Sequence, residues 1–127
     1  MSNYDGAFNQ ATFSGTHMII ELWGVKPELL KDEERIKSVL TLAALDAKAT
    51  VLSSEFHHFG EEYGLTGVVL LSESHISIHT WPEHGYAAVD IFMCGECDPA
   101  NSLPALKDNF HPERTEVITL LRGLKKV

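Results

Sequence analysis

The segment from residue 66 to residue 81 constrains the fold more than any other part of the sequence. Residues 66–71 end in four consecutive apolar side chains, Val68 to Leu71, which is typical of a strand at the centre of a sheet. The next strand, predicted over residues 75–81, alternates between two faces. Ile76, Ile78 and Thr80 lie on one face, and His75, Ser77, His79 and Trp81 lie on the other.

Further strand and helix patterns surround this pair. Strands are predicted over residues 16–23, 50–59, 86–94 and 114–122, a helix from residue 28 or 32 to residue 47, and a short helix over 99–110. Pro104 indicates that the second helix is broken or begins late. The order β-α-β-β-β-β-α-β predicts an α+β fold, a two-layer α/β sandwich with a mostly antiparallel sheet and two helices on one face.

The size and charge of the chain limit its partners. A length of 127 residues suits a single domain over 1–127. The formal net charge of −8, with no basic cluster larger than Lys125-Lys126, predicts neither a nucleic acid nor a membrane partner and suits a small cationic substrate. The free face or edge of such a sheet favours a homodimer or a higher oligomer.

Location follows from what the sequence omits. No apolar run approaches the length of a membrane span, and the polar N-terminal segment lacks the shape of a secretory signal. Two cysteines, Cys94 and Cys97, are too few to staple a fold. We therefore expect a cytoplasmic protein.

Reactive side chains concentrate between Ser72 and Glu96, and they allow three interpretations. His75, His79, Cys94 and Cys97 suggest a zinc module, but two strand residues four apart are separated by about 13 Å, too far for one ion. Cys94 and Cys97 suggest a redox dithiol, but the pair ends a strand instead of beginning a helix. The third interpretation makes Ser74, at the start of a strand, a nucleophile that attacks the preceding peptide carbonyl.

The same segment, SESHISIHTWPEHGYAAVDIFMCGE, resembles the signature of the short, prokaryotic-type (class 1) S-adenosylmethionine decarboxylase proenzymes, which are pyruvoyl-dependent. The resemblance extends more loosely through residues 55–59 and 63–67 to the strand that contains His17. It implies self-cleavage between Glu73 and Ser74 into residues 1–73 (the beta chain) and 74–127 (the alpha chain). It also implies that Ser74 becomes a pyruvoyl group, which forms a Schiff base with the substrate, and that no metal is needed.

The resemblance assigns roles to individual positions. His79 is the proton acceptor in processing, Thr66 supports processing where the family often has Ser, and Cys94 donates a proton to the substrate. Phe59, Trp81 and Glu83 fall where the family binds the nucleoside of S-adenosylmethionine. The expected function is decarboxylation of S-adenosylmethionine for spermidine and polyamine biosynthesis.

Other substrates and roles stay open at this stage. The same cleavage chemistry could serve a decarboxylase of ornithine or arginine, and a non-catalytic regulatory paralogue is a further alternative. Ser74 and His79 are five apart, so a straight strand directs them to opposite faces. We therefore expect a bend or bulge near Ser74-His75.

Overall fold

The computed structural model describes residues 8–126, which form eight strands and three helices. The strands are β1 (Phe8–Asn9), β2 (Gly15–Trp23), β3 (Val51–His58), β4 (Leu65–Leu71), β5 (Ser74–Trp81), β6 (Tyr86–Cys94), β7 (Arg114–Arg122) and β8 (Lys125–Lys126). The helices are α1 (Pro27–Leu30), α2 (Glu33–Asp46) and α3 (Leu103–Phe110), with 3-10 turns at Pro82–His84 and Pro99–Ser102.

Six strands form one sheet in the order β3-β4-β5-β6-β2-β7, and every neighbouring pair is antiparallel. β1 and β8 pair separately. The predicted α+β sandwich is confirmed, and the apolar strand β4 does lie inside the sheet. β5 is also internal, between β4 and β6, so the segment with the reactive side chains runs through the middle of the molecule.

The two predicted helices begin and end where local chemistry requires. The first is divided into α1 and α2, because the Asp32 carboxylate accepts a hydrogen bond from the Arg35 backbone N–H at 3.1 Å and starts a new helix there. The second begins late, as Pro104 suggested: residues 99–102 form a 3-10 turn before α3. The buried Ser102 hydroxyl donates to the Ala43 carbonyl at 2.6 Å and joins the two helical segments.

One face of the sheet packs against the helices and holds the core. The alternation predicted for β5 is confirmed, since Ile76, Ile78 and Thr80 are buried. The buried Thr80 hydroxyl is hydrogen-bonded within this core, because it donates to the Leu30 carbonyl and accepts from the Leu65 N–H. The opposite face of the sheet has no helix over it within residues 8–126, and we refer to it below as the open face.

The open face carries apolar as well as polar side chains. Leu70 and Ile118 are 48% and 58% exposed there, although both sit on regular strands of the main sheet. Scattered exposed apolar residues are common, but an entire uncovered sheet face is unusual for a small domain.

Among residues 8–126, no helix is long and apolar enough to cross a membrane.

The predicted bulge at Ser74-His75 is wrong. β5 pairs one-to-one with β4 from Ser74 opposite Leu71 to His79 opposite Thr66, and with β6 from His75 opposite Phe92. The irregular residue is the one before Ser74: Glu73 has φ 59°, in the left-handed region. A two-residue turn demands that conformation, which costs a non-glycine residue about 1 kcal/mol. The strain therefore lies on the other side of the proposed cleavage bond.

Candidate active site

The turn between β4 and β5 meets the end of β6. The Cys94 thiol donates a hydrogen bond to the backbone carbonyl oxygen of Glu73 at 3.2 Å and lies 3.7 Å from that residue's Oε2. Attack by the Ser74 hydroxyl on this carbonyl would put negative charge on the oxygen that the thiol contacts. A donor aimed at such an oxygen is what stabilises tetrahedral intermediates of acyl transfer.

Strand register explains why Cys94 reaches this point. β5 and β6 are paired from His75 opposite Phe92, so the next residues along each strand bring Glu73 and Cys94 to the same end of the sheet. Sequence reasoning expected Cys94 to act on the substrate, and it missed the contact with the Glu73 carbonyl. No spacing rule could have found that contact, because the residues are 21 apart along the chain and meet only through pairing.

His79 and Thr66 form a second pair. They are directly opposite in the β4–β5 register, and the Thr66 hydroxyl lies 3.0 Å from His79 Nδ1. This contact joins two residues that were predicted to assist processing. A hydroxyl at that nitrogen fixes the orientation of the ring and leaves Nε2 for proton transfer.

The structure does not bring His79 to Ser74 within one chain. The two residues are at opposite ends of β5, five positions apart, which corresponds to about 17 Å along a strand. Their side chains also point to opposite faces, because strand residues alternate and the pairing of β5 is regular. Ser74 and Cys94 therefore form one group, and His79 and Thr66 form another.

A cavity of about 360 Å³ adjoins the His79 group. It is lined by all three residues predicted to hold a nucleoside, Phe59, Trp81 and Glu83, together with Thr66 and His79. The rings of Phe59 and Trp81 are 61% and 40% exposed, so both present wide apolar surface at the mouth of the cavity. Two ring faces and one carboxylate suit a flat heterocycle with hydroxyl groups attached.

Gly64, which also lines this cavity, allows a close approach between the loop before β4 and the backbone of β5. A Cβ at this position would collide with the Thr80 carbonyl oxygen, so the loop before β4 lies directly against β5. The loop is further held by the hydrogen bond from the Phe59 N–H to the Gly64 carbonyl. This close approach places Phe59 beside the Trp81 end of β5.

A carboxylate that accepts three hydrogen bonds lies on the open face, between the Ser74–Cys94 group and the His79–Thr66 group. Asp90 Oδ2 accepts from His17 Nε2 at 2.7 Å and from His75 Nε2 at 3.0 Å, and its other oxygen accepts from the Ser77 hydroxyl. Burial raises the pKa of Asp90, but the hydrogen bonds from Ser77, His17 and His75 and the charge of His75 outweigh burial and hold that pKa below its ordinary value. Sequence reasoning did not find this cluster, because strand pairing brings its members together from three strands.

Within residues 8–126, this cluster also has the spacing of a possible metal site, because His17, His75 and Asp90 each offer one ligand atom. However, Arg122 Nη1 lies 3.2 Å from His17 Nδ1, and an arginine can only donate. His17 Nδ1 must accept, so Nε2 carries the proton that is donated to Asp90. A metal at Nε2 would need the opposite tautomer, with an acceptor beside Nδ1. The arrangement is therefore that of a hydrogen-bonded cluster.

The geometry supports neither the zinc interpretation nor the redox interpretation. His75 turns to Asp90, and His79 turns to Thr66 at the other side of β5. Cys94 and Cys97 are both free thiols; the first contacts the Glu73 carbonyl, and the second contacts the Lys48 carbonyl at 3.4 Å. The four predicted zinc ligands thus have four different partners.

Comparison with known proteins decides the family. The sequence model described as S-adenosylmethionine decarboxylase matches residues 16–123, which is most of the chain. The chain belongs to the S-adenosylmethionine decarboxylase family. The resemblance inferred from the segment around Ser74 is therefore confirmed.

Two relatives and one solved structure illustrate the similarity. An S-adenosylmethionine decarboxylase proenzyme from Methanococcus maripaludis is 46% identical over 87% of this chain and 90% of its own length. One of the same name from Thermodesulfovibrio yellowstonii is 44% identical over 87% of this chain and 82% of its own. The crystal structure of the adenosylmethionine decarboxylase from Aquifex aeolicus superposes with a TM-score of 0.76 at 37% identity, covering 86% of this chain and 90% of that one.

Proposed function

We propose that this chain is a proenzyme that cleaves itself between Glu73 and Ser74 and then decarboxylates S-adenosylmethionine. Membership of the family and the proenzyme names of its relatives support the assignment. The observation that carries it is the Cys94 thiol at the Glu73 carbonyl, beside a residue held at φ 59°. A strained peptide with a donor on its oxygen and a hydroxyl next to it is the arrangement that self-cleavage requires.

Cleavage proceeds in steps that the local residues can serve. The Ser74 hydroxyl attacks the Glu73 carbonyl carbon, the C–N bond breaks, and an ester replaces the amide. A base then removes the α-proton of Ser74, its Cβ–O bond breaks, and Glu73 leaves as a carboxylate. Water converts the resulting dehydroalanine into a pyruvoyl group and ammonia. Throughout the first step, Cys94 donates to the oxygen that becomes negative.

Residues around position 74 fit such a group. The group supplies a ketone that condenses with the substrate amine and accepts the electrons released with CO2. Cys94 remains close to position 74 through its contact with the turn, so its thiol is placed to protonate the substrate carbon.

The base for processing must come from a second copy of the chain. His79 and Ser74 lie at opposite ends of β5, too far apart to react within one protomer. Two open faces packed antiparallel about an axis near the middle of β5 would bring the His79–Thr66 pair of one copy to the end of the sheet where the other copy has its Glu73–Ser74 bond and the Cys94 thiol. The uncovered Leu70 and Ile118 support a homodimer of this kind.

Substrate choice rests on the cavity beside His79. Phe59 and Trp81 offer ring faces for adenine and for the sulfonium, and Glu83 offers a carboxylate for ribose hydroxyls. Ornithine and arginine have no ring to occupy the two aromatic faces. The net charge of −8 also favours a cationic substrate. A cytoplasmic location is part of the proposal, because two cysteines are too few to staple the fold.

Intact mass measurement tests self-cleavage. Purified protein is expected to yield two fragments, residues 1–73 and 74–127, the second with a blocked N-terminus. Ser74→Ala is the matched control and is expected to stay whole. A wild-type chain that stays whole with an ordinary serine after prolonged incubation would overturn the proposal and leave a non-catalytic regulator as the better reading.

Release of CO2 tests the substrate. The processed protein is supplied with S-adenosylmethionine, ornithine or arginine, each labelled in the carboxyl group. We expect release from S-adenosylmethionine alone. Processing followed by release only from ornithine or arginine would keep the chemistry and refute the substrate.

A further inference from the structure

Four side chains stack in a row across the open face. Arg114, Trp23, Tyr86 and Trp81 are register partners on β7, β2, β6 and β5. The Trp23 and Tyr86 rings are 4.3 Å apart and inclined by 25°, and the Tyr86 and Trp81 rings are 5.3 Å apart and inclined by 23°. The Arg114 guanidinium covers the Trp23 ring at 5.3 Å. Such stacked pairs stabilise a fold beyond what burial of the rings alone contributes.

Tyr86 holds the centre of this row in one orientation. Its hydroxyl donates to Glu21 Oε1 at 2.7 Å, on the strand next to its own. Burial, then the hydrogen bond to Glu21 and the charges of Glu21 and Glu116, raise the pKa of Tyr86 to about 12, so the phenol remains a donor at working pH. With both ring faces covered and the hydroxyl bound, Tyr86 has little freedom to move.

Trp81 stands between Tyr86 and the proposed substrate cavity. It lines the cavity that contains Phe59 and Glu83, and it also lines a second depression together with Trp23, His84 and Tyr86. The stack with Tyr86 covers one side of the Trp81 ring. The indole therefore has one side available for a ligand, and its partner on the other side is already fixed.

We propose that Tyr86 is a positioning residue that sets the plane of the Trp81 ring for the adenine of the substrate. This inference rests on the proposed function, since it assumes that the Trp81 cavity binds a nucleoside. A half-exposed tryptophan without support would lose rotamer freedom on binding, and that loss weakens affinity. The stacked row already restricts the Trp81 rotamer before the ligand binds, so this loss of freedom is not incurred on binding. Tyr86 has this effect without contacting the ligand.

Steady-state kinetics of processed enzyme test the inference through two variants. Tyr86→Leu removes the stack, and we expect KM for S-adenosylmethionine to rise about threefold to tenfold, the cost of immobilising one side chain on binding. Tyr86→Phe keeps the stack and loses only the bond to Glu21, so its KM is expected to stay within about twofold. In both variants kcat is expected to change by less than about twofold, because ground-state and transition-state binding weaken together.

A matched control separates positioning from general stability. Val89→Ala removes buried volume from the same strand on the core side, so it is expected to lower Tm without raising KM. Adenosine is the binding probe: its Kd, measured by calorimetry on processed protein, is expected to weaken in Tyr86→Leu by the same factor as KM.

The outcomes distinguish this inference from the proposed function. If Tyr86→Leu lowers Tm as Val89→Ala does but leaves KM and the adenosine Kd unchanged, Tyr86 is only structural and the inference is overturned. An equal loss in Tyr86→Phe and Tyr86→Leu would assign the effect to the hydroxyl and also overturn it. If wild-type processed protein neither binds adenosine nor acts on S-adenosylmethionine, the proposed function itself fails.

Discussion

Cys94 is the residue whose surroundings say most about the chemistry. Its thiol touches the oxygen of the bond that is proposed to break, and this contact also places it near Ser74, the residue that would form the new N-terminus. One side chain can thus serve two reactions in succession, first as a hydrogen-bond donor and then as a proton donor. The two roles make different demands, because a hydroxyl satisfies the first better than the second.

Substitutions of Cys94 are expected to separate these roles. Cys94→Ala removes the donor from the Glu73 carbonyl and should slow self-cleavage about 100-fold, as loss of an oxyanion donor does elsewhere. Cys94→Ser keeps a donor and should cleave faster than Cys94→Ala. The rate is followed by the appearance of the 74–127 fragment in mass spectra. Equal cleavage rates in wild type and Cys94→Ala would contradict a role for the thiol in the first reaction.

Asp90 makes stability depend on pH. Its pKa is lowered in the folded protein, so the carboxylate stabilises the fold above the ordinary pKa of about 4 and loses that effect as the pH falls through the lowered value. We expect Asp90→Asn to be less stable than wild type at pH 7 and the difference to shrink below pH 4. Urea unfolding at pH 7 and pH 3 measures this.

The exposed Asp46 provides the control for Asp90. Asp46→Asn should change the free energy of unfolding little at either pH. A difference between Asp90→Asn and wild type that is the same at both pH values would show that the hydrogen-bonded carboxylate is not the cause.

Strands and helices were largely predictable, and the connections between them were not. Alternation in β5 and the continuous apolar run in β4 identify their faces because side-chain direction has a period of two. The bulge expected at Ser74 came from requiring that Ser74 and His79 meet in one chain, and that assumption was wrong. The Asp90 cluster was invisible because His17 and Asp90 are 73 residues apart and meet through the pairing of β2 with β6.

Helix α2 offers a test of a local signal. Asp32 caps its first turn by accepting from the Arg35 N–H. Asp32→Ala is expected to reduce the free energy of unfolding by about 1 kcal/mol, and Asp32→Ser, which can still cap, by much less. Thermal unfolding measures both. Self-cleavage should be unaffected, since α2 lies on the face opposite to the Cys94 thiol.

At the scale of the whole molecule, the open face determines whether one chain is enough. A single copy separates Ser74 and Cys94 from His79 and Thr66, and it leaves apolar side chains of the sheet uncovered. The face-to-face homodimer proposed above would bring the two groups together and would cover these apolar side chains. The resemblance to a known family predicted every member of these groups, but only the fold revealed that they belong to two groups.

Complementation between two inactive chains tests the pair. Ser74→Ala is expected not to cleave because it lacks the proposed nucleophile, and His79→Ala is expected to cleave slowly because it lacks the proposed base. When the two are co-expressed or refolded together, the His79→Ala chain is expected to be cut, since its own Ser74 meets His79 of the other copy. If the His79→Ala chain stays whole in the mixture while wild type is cut, the base acts within one chain.

The bond that is proposed to break lies at the end of a two-residue turn, so the cut removes only the backbone N–H of Ser74 and leaves the pairing of β4 with β5 from Leu70 opposite His75 to Thr66 opposite His79. The products would stay together as a nicked hairpin, yet their reassembly from the unfolded state becomes a second-order process. We expect the midpoint of thermal unfolding of the mature protein to rise with protein concentration for this reason, beyond any effect of dimerisation seen in Ser74→Ala. The uncut precursor can reach this fold as a single chain, whereas the two separated fragments of the mature enzyme must first meet and associate.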